Sequence, residues 1–261
     1  MPLPYHAGKS RLAKPITKIL LDLYEENPNM KNYAEPFCGM LRVGLELMKQ
    51  DSEKDRIEKF EFSDINKNVV ALFKGFKRGW LPKPKPITQE QWDNYKNSKR
   101  VSAQKSFYGF ALGFSGQFMT GSKPNQKHNT EKYMKTRREL FKKILPLFNR
   151  PKTSIDLKNV NELDFKNTII YCDPPYFNSA WRSRAGGWNK SKENEFWETV
   201  YGWLEPDKNN IVLVSNGEIP EQPNKLSVET LFKKSMVSPG NWRVSGKEKK
   251  RNEYLFKITR T

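Results

Sequence analysis

Thr168-Ile169-Ile170-Tyr171-Cys172-Asp173-Pro174-Pro175-Tyr176 is the stretch that sets the fold. Its first five residues are β-branched, aromatic or small and do not alternate with polar ones, the composition of a parallel strand covered on both faces. An acid and two prolines then stop the strand, because proline fixes φ and has no N–H to offer a ladder. Ligands of open α/β sheets lie just past the carboxyl ends of such strands, so residues 173–176 stand where a site is expected.

Upstream of this stretch the chain repeats the same grammar. From Arg11 to Glu25 the residues Leu12, Ile16, Ile19, Leu20 and Leu23 keep helical spacing, and Asn27-Pro28 ends that helix. Asn32 to Glu35 reads as a short strand entering the turn Pro36-Phe37-Cys38-Gly39, and a helix carrying Val43, Leu45, Leu47 and Met48 follows. Phe60-Glu61-Phe62 alternates up to Asp64, a second strand, and Asn66 to Phe76 returns to helical periodicity. Strand, glycine turn, helix, strand ending in an acid: this order opens a nucleotide-binding α/β sheet. Downstream, Thr153–Leu157, Asn210–Ser215 and Leu255–Ile258 read as strands, Lys192–Leu204 as a helix, and 177–191 as a polar loop.

The alternation breaks at Leu81-Pro82-Lys83-Pro84-Lys85-Pro86, a stiff connector. Residues 80–150 are therefore read as an insert of two or three polar helices, a Gly/Ser/Asn loop over 116–129 and a basic helix from Thr130 to Leu145, ended by Pro146 and Pro151. The whole chain of 261 residues carries a formal charge of +18, which favours a polyanionic partner. The insert holds 15 Lys or Arg against 4 Asp or Glu, so much of the excess sits in one segment rather than being spread as in a merely lysine-rich protein. Two distant cysteines, Cys38 and Cys172, form no metal-ligand spacing and read as small buried residues. No apolar run is long enough to span a membrane. The opening Met1–His6 lacks the apolar stretch of a secretion signal, so an intracellular, reducing compartment is expected.

The chemistry concentrates at Asp173-Pro174-Pro175-Tyr176. Without backbone donors, the turn mainly presents acceptors, the Asp carboxylate and a proline carbonyl. An aromatic amine needs such a surface: its lone pair is delocalised, and accepting both N–H hydrogens makes the nitrogen more nucleophilic and stabilises the cation formed as a methyl group arrives. Tyr176 adds a flat surface on which a base can stack. Alone, the four residues could be a plain proline turn; their place after the strand argues for a site.

Several segments together resemble the DNA adenine methylase (Dam-like) family, over nearly the full chain and in the family's motif order. Asp173-Pro174-Pro175-Tyr176 is similar to its catalytic motif. Tyr5-His6-Ala7-Gly8-Lys9 resembles the N-terminal cofactor motif, and Glu35-Pro36-Phe37-Cys38-Gly39 the family's cofactor loop. Asp64-Ile65-Asn66 matches the element whose Asp holds the ribose hydroxyls, and Asp156-Leu157 falls where a pair contacts the cofactor adenine. Ser215-Asn216 and Arg251-Asn252-Glu253-Tyr254-Leu255 also resemble family signatures. The resemblance implies an α/β, Rossmann-like S-adenosylmethionine-dependent methyltransferase sheet with an inserted, mainly helical target-recognition domain. Residues 1–79 would form the cofactor-binding half, 80–150 the basic recognition insert, and 151–261 the second half of the catalytic domain. It further implies an adenine-N6 DNA methyltransferase that uses S-adenosyl-L-methionine and no metal, with Asp173 facing both cofactor and substrate. Double-stranded DNA and, where one accompanies it, a cognate restriction endonuclease are the implied partners, for a monomer or weak dimer.

The chain also departs from the pattern. After Gly39 the family has a second glycine two residues on, whereas this chain has Met40 and Leu41, and a leucine there is expected to narrow the approach of backbone to a ligand. For DNA, the loop residues Lys123, Asn125, Gln126 and Lys127 carry base-reading chemistry. Lys135, Arg137, Arg138, Lys142 and Lys143 suit phosphates. Trp181, Arg182, Arg184 and Trp188 are placed to close over an extruded base. Phe107-Tyr108-Gly109-Phe110 and Phe114 to Phe118 resemble an aromatic segment of the family, although such spacing more often marks core. An RNA adenine methyltransferase and a non-catalytic DNA-binding relative remain open. A cytosine-ring methyltransferase would need a Pro-Cys nucleophile, which the chain lacks.

Overall fold

The computed structural model describes residues 3, 9–175, 188–217, 225–237 and 250–261. Tyr5, His6, Ala7 and Gly8, Tyr176, and the loop with Trp181, Arg182 and Arg184 lie outside the described residues. The elements are α1 (Ala13–Glu26), β1 (Asn32–Glu35), α2 (Arg42–Asp51), β2 (Lys59–Asp64), α3 (Lys67–Lys77), α4 (Gln89–Asn97), α5 (Ala103–Leu112), α6 (Glu131–Phe148), β3 (Thr153–Leu157), β4 (Thr168–Cys172), α7 (Lys190–Trp203), β5 (Ile211–Asn216), β6 (Leu226–Val237) and β7 (Lys250–Arg260).

The strand order is β3-β2-β1-β4-β5-β7-β6. β2 runs parallel to β3, β4 runs parallel to β1 and to β5, and β7 is antiparallel to β5 and β6. Order reverses at β1 and β4, as in a doubly wound sheet, and the Rossmann-like α/β expectation is met. The contacts divide the chain into two compact units, Met1–Asn27 with Cys38–Lys158 and Pro28–Phe37 with Asn159–Thr261.

In the first of these units, polar side chains start α3, α4, α5 and α6. Asn66 accepts from the Asn68 N–H at 3.0 Å and caps α3. Thr88 and Gln91 form a reciprocal capping box at α4, and Ser102 and Thr130 cap α5 and α6. The insert is fastened to α3 by rings. Phe76 stacks on Phe141 at 3.9 Å and Phe73 on Phe148 at 5.4 Å, while Phe107 meets both Trp80 and Phe141 edge-on at 6.0 Å. Such pairs add to the burial of large rings. α3 and α5 approach closely because Gly75 lacks a side chain: a Cβ there would lie 2.2 Å from the Cβ of Ala103.

Two expectations for the insert need correction. α5 is not polar; Ser106 to Leu112 are all buried. The sequence pattern had been dominated by lysines and asparagines outside that helix. Likewise α6 does not stop at Pro146 but runs on to Phe148. Proline removes one N–H from the ladder, yet the fully buried Phe148 holds the last turn against Phe73, and the Asn149 N–H closes it on the Leu145 carbonyl at 3.2 Å.

Arg150 ties the end of the insert back to α2 and β2. Its guanidinium donates to Asp51 at 2.9 Å, to Asp55 at 2.5 Å and to the Ile57 carbonyl at 3.1 Å, and lies 4.9 Å from the ring of Phe60. The Asp51 side chain is fully buried and also accepts from the Arg56 N–H at 3.1 Å.

In the other unit, α7 supplies Phe196, Trp197, Val200 and Trp203 to a core that includes Ile170, Cys172, Val212, Val214, Phe256 and Ile258. The Trp203 indole donates to the Leu163 carbonyl at 2.8 Å. β6 was not legible in the sequence, and β7 extends well beyond Leu255–Ile258. Pairing of β6 shifts register between Thr230 and Phe232, so the inward and outward positions exchange phase along the strand. Lys233, Lys234 and Ser235 are exposed beyond that bulge.

Arg150→Ala should strand the Asp51 carboxylate without its cation and lower unfolding stability by about 3–5 kcal/mol, as removal of one partner of a buried ion pair does. Urea denaturation measures it, and a loss below about 1 kcal/mol would show that Asp51 is satisfied by backbone N–H groups alone.

Candidate functional site

Strand ends build the site. In the unit containing β1, β4 and β5, Tyr33 and Glu35 share one face of β1 because side chains alternate along a strand. Glu35 is 3% exposed, and the Tyr33 hydroxyl donates to its Oε2 at 3.1 Å. On the neighbouring strands the Tyr171 hydroxyl and Ser215 Oγ lie 2.9 Å apart. Burial pushes the Tyr171 phenol well above its ordinary pKa, and the carboxylates of Asp173, Glu35 and Glu253 push it further, against the hydrogen bond with Ser215. Burial, Asp173 and Glu35 do the same to the Cys172 thiol. Glu253, on β7, is itself 2% exposed. Three acidic groups thus act on one tyrosine at the end of β4, a region suited to cations and N–H donors.

The turn after β4 keeps Asp173 and Pro175 half-buried and Pro174 buried. Phe37, in the turn after β1, meets Trp188 edge-on at 5.9 Å and Phe196 at 5.7 Å, which fixes the Pro36-Phe37 turn on the aromatic core around α7. Pro36 is buried. A recess of about 10 Å³ opens beside Pro174 and Pro175 and is completed by Asn216 and by side chains at the start of α7. That is the room of one water molecule and far below a purine. The described residues alone therefore do not enclose a base here.

In the unit containing β2 and β3, Asp64 ends β2. Its two oxygens accept from the Gly39 N–H at 2.9 Å and the Asn66 N–H at 2.7 Å. Burial raises its pKa to about 6 against the pull of those two donors. Each carboxylate oxygen retains a second lone pair for a hydroxyl. Ile65 is 65% exposed and Leu157 53% exposed, large apolar side chains standing open beside Asp64, which pairs in register with Leu157. Asp156 faces the other way, to Lys74 at 3.1 Å. Lys9 is buried rather than solvated, and its carbonyl accepts from the Leu12 and Ala13 N–H groups to start α1.

Leu41 corrects one expectation. It lies at φ 52, the left-handed region that favours glycine, and its side chain is fully buried. The backbone adopts the glycine-like shape while the side chain turns into the core, so it does not narrow the turn. Gly39, at φ 46, is left-handed too, and Met40 is buried.

The expected recognition residues divide. Lys123, Gln126 and Lys127 are exposed on their loop, whereas Asn125 uses its Oδ1 to accept from the Lys127 N–H at 3.1 Å. Arg138 donates to the Pro82 carbonyl at 2.8 Å, and Arg137 stacks on Tyr133 at 4.5 Å. Phe107, Tyr108 and Phe110 are core, but Phe114 is 71% exposed. Its loop is closed by the Thr120 hydroxyl donating to the Phe114 carbonyl at 3.2 Å, a detail that spacing alone does not reveal. Among the described residues no His, Cys, Asp and Glu group is arranged to hold a metal, and no helix is long and apolar enough to cross a membrane.

No family model matches the chain, and no curated protein matches it. Solved structures do resemble it at low identity. A Pyrococcus horikoshii protein assigned as an RNA methyltransferase is 10% identical over 98% of this chain and 85% of its own, with a TM-score of 0.47. The rRNA methyltransferase AviRa of Streptomyces viridochromogenes is 11% identical over 97% and 86%, with a TM-score of 0.43. The magnesium protoporphyrin IX methyltransferase of Synechocystis, solved with bound SAH, is 7% identical over 99% and 85%, with a TM-score of 0.43. No residue role is carried over from them.

Both cysteines are buried, and Cys172 has a raised thiol pKa. Native protein should leave both unlabelled by an aromatic disulfide reagent at pH 8, with full labelling in denaturant. Fast native labelling at Cys172 would mean that the end of β4 opens to solvent.

Proposed function

We propose that this protein is an S-adenosylmethionine-dependent methyltransferase that methylates the exocyclic amino nitrogen of adenine in duplex DNA. One observation carries the reading: an Asp-Pro-Pro turn leaves the buried strand β4 at the reversal of the sheet, next to Glu35 at the end of β1. The resemblance to Dam-like enzymes attaches to the same residues.

The groups present fit the cofactor. Asp64 has lone pairs left for ribose hydroxyls, and Ile65 and Leu157 offer apolar surface for an adenine ring. Glu35, Asp173 and Glu253 provide negative charge for a sulfonium and an ammonium. The resemblance adds Lys9 and Gly39 in the one unit and Glu35, Pro36 and Phe37 in the other, and Asp156, bound to Lys74, is assigned no direct contact. When bound, S-adenosylmethionine supplies an electrophilic methyl group.

The protein's own part is acceptor chemistry. Asp173 and the Pro174 carbonyl accept the two amino hydrogens, and Tyr176 stacks on the ring. An amino group inside a base stack is out of reach, so the nucleotide is extruded, at a cost of a few kcal/mol. Phe114 supports that step, because an exposed ring on a basic insert can wedge between bases as they unstack. Lys123, Gln126 and Lys127 read the flanking sequence or its phosphates. The +18 charge supports a polyanionic substrate without naming it.

Asp173→Ala should abolish methyl transfer to duplex DNA, by more than about a hundredfold, while S-adenosylmethionine still binds in calorimetry. Turnover retained by the variant would remove Asp173 from the reaction. Wild-type activity on single-stranded RNA but not on duplex DNA would change the substrate. Asp64 must be ionised to accept from hydroxyls, so a pKa of about 6 makes cofactor affinity pH-dependent with a definite sign. Binding should weaken by about tenfold from pH 7 to pH 5, and Asp64→Asn should flatten that slope. A wild-type affinity unchanged over this range would take the ribose contact away from Asp64.

A further inference from the structure

Glu193 stands at the first turn of α7, where its N–H donates to the Asn189 carbonyl at 3.0 Å and the Asn189 side chain caps the helix through the Lys192 N–H. Its Oε2 is buried and has no hydrogen-bond partner among the described residues. A buried carboxylate oxygen left in that state is destabilising until something donates to it. It borders the recess beside the catalytic turn, whose other walls are Pro174, Pro175, Asn216 and the rings of Trp188 and Trp197. Among the described residues no other charged side chain lines that recess.

These walls restrict what can satisfy Glu193. Pro174 and Pro175 have no N–H, and the rings are mostly apolar surface. Among the described residues the space is about 10 Å³, room for one water. Placed there, a water would have the Glu193 carboxylate as one partner, with the Pro174-Pro175 turn and Asn216 as its other walls. The two ends of this contact differ in kind: one is a base able to keep a proton, the other is the turn on which the amino group is held.

The reaction proposed above needs such a base. As the N–CH₃ bond forms and the S–CH₃ bond breaks, the sulfur keeps the bonding pair and the nitrogen becomes a cation carrying one proton too many. The Pro174 carbonyl can accept a hydrogen bond but cannot hold that proton, and Asp173 must be a carboxylate again before it can receive the next amino group, so the proton has to move on. We propose that one water in the recess links the Pro174-Pro175 turn to Glu193, and that Glu193 takes up through it the proton released by the methylated amino nitrogen. The step balances: one N–H bond breaks, one O–H bond forms on the water as another passes to Glu193, and the product amine is neutral. Glu193 acts through the water and does not touch the substrate.

This inference rests on amino-group methylation, whatever polymer carries the base, and its test separates the two. In a crystal structure of the wild-type protein, a water should lie within hydrogen-bond distance of Glu193 Oε2 and of the turn. A dry recess, or a Glu193 rotated out to solvent, overturns the inference without any assay. In single-turnover assays Glu193→Gln, which keeps size and shape, should lower kcat by about a hundredfold with KM and cofactor affinity within about twofold of wild type. Its rate should rise with buffer-base concentration, and Glu193→Ala should regain rate with added formate. A Gln variant within about twofold of wild-type kcat, or a loss that formate leaves unchanged, overturns the proton path. A wild-type enzyme that methylates no nucleic-acid amino group overturns the parent reading and the proton path with it, and diffraction alone then decides the water.

Discussion

Carboxylates withdrawn from water at the ends of parallel strands are the constraint around which the molecule is built. Burial disfavours their charged form, and each must recover hydrogen bonds or meet a cation. Asp64 recovers them from the Gly39 and Asn66 N–H groups and still titrates near 6. Glu35 takes one from Tyr33, and Asp173 stands half-buried at the end of β4 ahead of two prolines. Such groups are poor contributions to stability and good contributions to binding, because a ligand that brings donors or positive charge finds them already positioned. The left-handed backbone at Gly39 and Leu41 belongs to the same arrangement: it turns the chain so that an N–H, not a side chain, points at Asp64.

The insert obeys a different constraint. Its surface is strongly basic, and a segment with so much like charge would repel itself unless something apolar held it. The rings of Phe73, Phe76, Phe107, Phe141 and Phe148 do so, and Gly75 lets α5 come near enough to join them. Arg138 and Arg150 then spend their charge inside the fold, on the Pro82 carbonyl and on Asp51. Other cations of the segment stay exposed, among them Lys83, Lys85, Lys99, Lys123 and Lys127, and some stand in exposed pairs such as Lys135 with Glu131 at 2.6 Å. Exposed pairs of that sort are worth little and exchange readily for phosphate.

Local rules were legible and tertiary ones were not. β4 and its turn could be read because burial on both faces and a double proline leave few alternatives, and the Asn66 cap could be read from the Asp64-Ile65-Asn66 triplet. The continuation of α6 through Pro146 depends on where Phe148 finds its partner, 75 positions away from Phe73 in sequence, which no local pattern records. β6 hid behind its bulge. At the site, Glu35, Asp64 and the turn were named from their positions at strand ends, whereas the buried oxygen of Glu193 was invisible, since a glutamate in the first turn of a helix is ordinary on any surface helix. What distinguishes it is the wall it faces.

That wall gives the prolines a second physical role. An ordinary residue at 174 or 175 would carry an N–H, a donor that could compete for the Glu193 oxygen lining the same recess. Proline at both positions removes that competitor. On the proposed proton path, the feature that lets the turn accept from an amine also leaves the Glu193 oxygen unspent. A turn built only to accept two amino hydrogens would need its carbonyl and its acid, and a single proline would suffice to aim them; the pair accounts for both the acceptor surface and the open carboxylate behind it.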